Sequence, residues 1–404
     1  MVRKMKDSGV EWIGEIPEDW EVVKLKHIAS AETTGLTAGT LLSSGSYPVY
    51  DANAVIGFIN QNPMNEKYIS VIKDGAGIGR TRLMPKDTSV TGTLNAIKVH
   101  HQFDLEYLFL ILQVFDFNVF SVGSTIPHVY FKDYSESFVP YPCRSAQKDV
   151  VKKTNIAMES IDQIKSDISD AIQTLEAYKK SVITEAVTKG LDKNAEMKDS
   201  GIEWIGEIPK HWHLVKLKFL TETIAKGISP NYTEEELSPV VNQATFSKGY
   251  FDYNLKYCSD ELKGDGLLKK NDVLLATTGG GVLGKTFYFQ ENGKYLASTD
   301  VAYLRCKSKE TSKFIYYILS VNYDLLNGEF AKGSTNQTHL QMDRLNNMEI
   351  PWPVDNELKD ILTKIDHSSE VIDEVIAIKQ NQLSHLDEYK KSLIYEYVTG
   401  KREV

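Results

Sequence analysis

The chain contains itself twice, and that duplication constrains its fold more than any other feature. MKDSGVEWIGEIPEDWEVVKLK at 5–26 returns as MKDSGIEWIGEIPKHWHLVKLK at 197–218. EAYKKSVITEAVT at 176–188 returns as DEYKKSLIYEYVT at 387–399. Between them GST recurs at 123 and 333, and VPYP at 139 is answered by IPWP at 350. Matches in one order along a chain mark an internal repeat. Residues 27–122 and 219–332, by contrast, read as almost unrelated, and the second insert is longer. The design is a fixed frame carrying two different modules.

The segment from VPYP/IPWP to YKKS has the same length in both copies and is helical by pattern. Ile161, Ile164, Ile168, Ala171, Leu175, Tyr178 and Val182 step by three and four; Ile372, Val375, Ile376, Lys379, Leu383, Leu386, Leu393 and Tyr397 do roughly the same. Such a stripe predicts a coiled coil. Pro142 and Pro353 bound the helices upstream, and Gly190 and Gly400 stand where C-caps belong. About 40 residues at ~1.5 Å each make a rod of roughly 60 Å. Equal length in diverged copies favours pairing of one helix with the other over two helices each packed on its own core. The modules read as mixed α/β. YISVIKDGAGIGRTRLM and DVLLATTGGGVLGKTFYFQ predict strand, glycine turn, strand, with short buried helices following at 105–117 and 312–324. The Trp12/Trp204 and Trp20/Trp212 pairs are expected to anchor the frame to the helices.

GGGVLGKT, within 277–290, fits the phosphate-cradling pattern GxxxxGK[ST]. That motif needs a helix to open directly after it. Here Phe287, Tyr288, Phe289 and Gln290 follow, which are strand formers for the most part. The matching stretch of copy one, DGAGIGRT at 74–81, is shorter between its glycines and carries Arg80 in place of Lys285. A nucleotide cradle would not survive that change; a glycine hairpin with a basic tip would. No HExxH, GxSxG or GxGxxG is present, and His211/His213 and His100/His101 lack a third ligand nearby. No catalytic residue, metal ligand or cofactor site is assigned.

Composition, at 42% hydrophobic and 25% charged, is that of a folded soluble protein. No apolar run approaches a membrane span, the N-terminus lacks a secretory apolar core, and three scattered cysteines read as reduced thiols in a cytoplasm. A net charge of −9 argues mildly against nucleic acid, although charge is local.

Arg80, Arg82 and Lys285 read as projecting from tight loops toward nucleic-acid phosphates, or else as solvated turn residues. Lys73 in the first module, and Lys269 and Lys270 in the second, join them as phosphate or base contacts. Ser124, Thr125 and His128, with Ser334, Thr335, Gln337 and His339, would line a second polar loop; capping of a short helix is the other reading.

The head KDSGxEWIGEIPxxW, the GST…(I/V)P(Y/W)P passage and the tail YKKS(V/L)IxExVT resemble the specificity subunits of type I restriction–modification enzymes, over essentially the whole chain. The family's GST passage often continues QPH; here Ile126-Pro127-His128 and Asn336-Gln337-Thr338-His339 follow. The resemblance implies an α/β fold: two mixed α/β target-recognition domains separated by a long antiparallel two-helix coiled coil, with a pseudo-two-fold repeat. Expected boundaries are 1–145 for the first domain, 146–190 for the central helix, 191–355 for the second domain and 356–404 for the last helix. It also implies a cytoplasmic, non-catalytic reader of double-stranded DNA that binds two adenine-methyltransferase subunits and can be joined by two restriction–translocase subunits. A protein-interaction scaffold without DNA is the rival reading.

Overall fold

The structure is a computed structural model that describes residues 3–100, 102–123, 125–333 and 338–403. The chain divides into two compact units, residues 1–170 with 379–404, and residues 171–378. Each unit takes its chain from both copies of the repeat.

In the first unit an antiparallel sheet is built from β1 (Ala29–Glu32), β2 (Tyr68–Ile72), β3 (Thr81–Met84) and β4 (Leu94–Val99), in the order β1-β4-β2-β3. All of β2 is buried, as expected of an apolar inner strand covered on both faces. One cover is α1 (Leu105–Val114), apolar almost all round and capped by Asp104, whose carboxylate accepts from the amides of Glu106 and Tyr107. A smaller sheet joins 55–59, 47–50 and 89–90, the last two in parallel. The long helix α2 (Arg144–Lys189) begins here.

The second unit repeats this topology with other residues. β5 (Thr221–Lys226), β6 (Val273–Ala276), β7 (Thr286–Tyr288) and β8 (Val301–Cys306) lie in the order β5-β8-β6-β7. A second sheet again contains one parallel pair, 238–241 with 296–297. Helix α3 (Lys309–Val321), capped by Ser308, corresponds to α1, and α4 (Asp355–Val398) to α2. Both glycine-turn hairpins and both buried helices stand where the sequence predicts them.

The repeated frame packs the same way in both units. Hairpins 5–7/15–17 and 197–199/207–209 share one register, and VPYP and IPWP form strands against 21–24 and 213–216. Trp20 is buried in a cluster with Leu393, Ile394, Tyr397 and Val398 of α4, and Trp212 with Ile183, Ala186 and Val187 of α2. The frame of each copy therefore closes on the helix end of the other copy. Gly400 and Gly190 end the helices at φ of +71° and +74°, and a Cβ there would press on Trp20 and Trp212 at 3.1 Å. Trp12 departs from expectation: its indole N–H donates to Phe138 O at 3.0 Å and its ring meets Phe115 edge-on, so it ties the frame to the module.

Within each unit the stretches of α2 and α4 run antiparallel. In the first, Lys165 pairs with Asp387 at 2.5 Å and Lys390 with Asp162 at 2.7 Å; in the second, Lys179 pairs with Asp373 at 2.6 Å. The α4 stripe faces inward as predicted, but on α2 Ile164 and Tyr178 are 47% and 59% exposed. Lys165 and Lys179, one position on, take the inward places. Their stems lie along the seam while their amines reach carboxylates across it, which a count of apolar residues misses.

Candidate nucleic-acid interface

The glycine turns are closed alike despite their different lengths. Ile72 N donates to Arg80 O at 3.0 Å and Gly79 N to Ile72 O at 2.8 Å; Ala276 N donates to Lys285 O and Gly284 N to Ala276 O, both at 2.9 Å. Gly79 and Gly284 stand at φ of +78° and +89°, left-handed values that glycine meets without strain. After Lys285 the chain enters β7, not a helix, and the Lys285 amine donates to Ser247 O at 2.8 Å. The phosphate-cradle reading fails on both counts.

A second loop docks on each glycine turn. In the first unit Gly75 N donates to Pro127 O, Val129 N donates to Lys73 O, and His128 Nδ1 is hydrogen-bonded to Asp74 Oδ1 at 2.7 Å. In the second, Leu340 N donates to Thr277 O, and His339 bridges the backbone of Thr278. The described residues that follow the GST passages, 127–129 and 338–340, thus meet the glycine hairpins directly, with His128 and His339 at the junctions.

A third loop completes each cluster and was not foreseen. It follows strand 47–50 in the first unit and strand 238–241 in the second. Asp51 Oδ1 accepts from the amides of Asn53 and Ala54, and Asn242 Oδ1 from those of Ala244 and Thr245. The amides of Ala54 and Asn53, and then the charge of Arg82, hold the Asp51 carboxyl below its ordinary range. Arg80 Nη2 donates to Ala52 O at 3.3 Å and to Asn53 Oδ1 at 3.2 Å, while Arg82 Nη2 donates to Asn53 O at 3.0 Å. In the second unit Thr278 Oγ1 donates to Gln243 Oε1 at 3.2 Å beside the Lys285–Ser247 contact. Each cluster is flanked by an exposed tyrosine beneath a lysine: Tyr130 under Lys132, and Tyr250 under Lys248.

Of the other residues singled out from the sequence, Lys73 stands at the root of its glycine turn and Thr125 is exposed on the docked loop. Ser124, Ser334, Thr335 and Gln337 lie outside the described residues. Lys269 and Lys270 precede β6, at the end of the hairpin opposite the glycine turn, so they do not join Lys285 and His339. Their loop is pinned by Asp272, which is buried, accepts from Lys269 N, and holds Arg305 through two bonds of 2.9 and 2.7 Å. Asn53, Asp74, Gln243, Thr278 and Ser247 escaped the sequence reading. A signal existed, since PVYDAN at 48–53 answers PVVNQA at 239–244 inside modules that otherwise look unrelated.

The chain also matches known proteins along its length. A family model described as the type I restriction modification DNA specificity domain matches residues 17–174 and 209–391. The type I restriction enzyme MjaVIII specificity subunit of Methanocaldococcus jannaschii is 25% identical, over 96% of this chain and 94% of that one. The putative type I restriction enzyme MjaX specificity subunit of the same organism is 24% identical, over 97% and 96%. A chain solved in work on complex assembly and conformational transition of the type I R-M system superposes with a TM-score of 0.67 at 17% identity, covering 96% of this chain and 99% of that one, which shows a shared fold. With both halves of its repeat matched, the chain belongs to the type I restriction–modification DNA specificity family.

Proposed function

We propose that this specificity subunit reads a bipartite, asymmetric DNA target, one half-site per module, with the unread gap set by α2 and α4. It has no catalytic role of its own. It directs two partner adenine-methyltransferase subunits, and restriction–translocase subunits where these are present, in the cytoplasm. The observation that carries this reading is the recurrence of one three-loop cluster in both units with different side chains. In the first, Arg80 and Arg82 meet Asn53; in the second, Thr278 meets Gln243 and Lys285 meets Ser247 O. Equal frames imply the same task, and unlike donors imply different base sequences. Each module discriminates by ~1–3 kcal/mol per base pair, and a stiff link makes the second contact effectively intramolecular.

The test is methylation mapping of DNA from cells that carry the chain with its methyltransferase partner. One chain-dependent bipartite adenine-methylated motif is expected. Adding a helical turn to both long helices adds about 5.4 Å of length, so the gap should grow by roughly one to two base pairs with both half-sites unchanged. Altered half-sites with the old gap would refute the spacing role. Binding that ignores salt would point to a protein scaffold instead, because phosphate contacts release counterions.

A further inference from the structure

We propose that two lysine–tyrosine pairs, Lys132 with Tyr130 and Lys248 with Tyr250, hold DNA backbone phosphates, one pair beside each three-loop cluster. The proposal rests on the DNA-reading function above and adds the groups that seat each module on the duplex. In the first unit the Lys132 amine lies 5.5 Å from the centroid of the Tyr130 ring, and the His128 ring stacks on that tyrosine at 6.4 Å and 15°. His128 is in turn hydrogen-bonded to Asp74 of the glycine turn at 2.7 Å. A line of contacts therefore runs from the glycine turn out to an exposed ammonium. In the second unit Ser247 O accepts from the Lys285 amine, and the amine of the next residue, Lys248, lies 5.8 Å from the Tyr250 centroid. Both tyrosines and both lysines are exposed.

The internal repeat does not explain this recurrence. Counted from His128 and His339, it places Gln341 and Asp343 where the first unit has Tyr130 and Lys132. Counted from Asp51 and Asn242, it places Gly57 and Ile59 where the second unit has Lys248 and Tyr250. The first unit draws its pair from the docked loop, tyrosine first; the second draws it from beyond the third loop, lysine first. Two unlike modules thus set the same chemistry beside the same cluster from different segments. That chemistry suits phosphate. With a net charge of −9, the chain needs cations placed locally if it is to attract a polyanion. An ammonium is a point charge without a planar fork, and phosphate contacts fix register and orientation without carrying sequence information. A ring beneath the amine restrains it through cation–π attraction. Tyr130 is already engaged by Lys132 and His128, so its ring is not a free platform for a base. Lys132 has no carboxylate partner among the described residues, whereas Lys248 lies 3.4 Å from Asp252, so the first pair presents more of its charge.

The experiment measures binding of the chain, complexed with its methyltransferase partner, to the DNA motif that methylation mapping finds, over a range of salt. Thermal melting of each variant checks folding. Lys132→Gln should make the fall of log affinity with log salt shallower by ~0.9, which is roughly 3.5-fold in affinity between about 50 and 200 mM. The methylated motif should stay the same. Lys248→Gln should act in the same direction and less. Tyr130→Leu should weaken binding by roughly 2- to 5-fold, and Tyr130→Phe, which keeps the ring, should restore it. Lys218 is the control. Its amine lies 5.4 Å from the Phe219 centroid, at the end of the sheet opposite the glycine turn, and Lys218→Gln should leave the slope unchanged. An unchanged slope in Lys132→Gln would overturn the proposal, as would an equal change in Lys218→Gln. So would an altered half-site in Lys132→Gln, which would make that lysine a base contact. Any of these beside an intact chain-dependent motif would leave the DNA-reading function standing; absence of such a motif would overturn both.

Discussion

The two modules solve one structural problem with different chemistry. On the strand next to each glycine hairpin, the first unit has Lys98 on β4 paired with the exposed Glu32 at 2.8 Å, whereas the second has Arg305 on β8 in a bidentate grip on Asp272, whose side chain is 1% exposed. At the three-loop cluster the first unit caps its third loop with a carboxylate, Asp51, and braces two guanidiniums against it. The second caps with a neutral amide, Asn242, and braces one ammonium. Topology survives because it depends on backbone pairing, on glycine at Gly79 and Gly284, and on an Asx-type cap at Asp51 or Asn242. The donors facing outward are free to diverge.

The largest predicted effect separates the two strand-borne pairs. Asp272→Ala leaves Arg305 short of its carboxylate in a mostly buried place, and should cost about 3–5 kcal/mol in chemical denaturation. Glu32→Ala removes an exposed partner of Lys98, and should cost only ~0–1 kcal/mol. Similar losses would erase the distinction between a buried and a surface pair.

The glycine turns should behave alike, and that is a test of their equivalence. Alanine at Gly79 or Gly284 forces a left-handed residue, and its Cβ would come within 2.6 Å of Phe117 or 2.9 Å of Leu326. Each substitution should cost about 1–3 kcal/mol in strain, before any cost of the clash. A harmless Gly284→Ala beside a damaging Gly79→Ala would show that the second turn does not need its conformation.

The smallest effect concerns acid. The Asp51 carboxyl is held below its ordinary range, so the stability it contributes is present above the unfolded value and is lost as pH falls through the folded one. The third loop of the first unit should loosen in that acid window, seen as amide-signal changes at Asn53 and Ala54. Asp51→Asn should abolish that response and make the loop behave as Asn242 does in the second unit. Persistence of the acid response in Asp51→Asn would assign it to another group.

Much of this was legible beforehand, for physical reasons that differ by element. The frame and the long helices were read from repetition and a three–four period, because burial along one face leaves that period in the sequence. The hairpins were read from apolar runs broken by glycine. The helix seam was read imperfectly at Ile164 and Tyr178, since Lys165 and Lys179 do an inward job with an outward residue type. The brace on Arg80 was not read at all. Asn53 lies 27 positions away, and nothing local says that its side chain turns toward that guanidinium.

By itself, then, the sequence determined that the chain is a doubled frame with two unlike modules, two long helices and strand-turn-strand hairpins in place of a nucleotide cradle. Those features follow from local periodicity and from residues compared with their own repeat. Only the tertiary structure decided that Trp20 and Trp212 each close on the other copy's helix, that Lys269 and Lys270 stand away from the glycine turn, and that loops distant in the chain bring Arg80 and Arg82 to Asn53 and His128 to Asp74. Those are outcomes of which backbone polar groups and side chains find partners once the sheets form, and such partnerships are set by position in space.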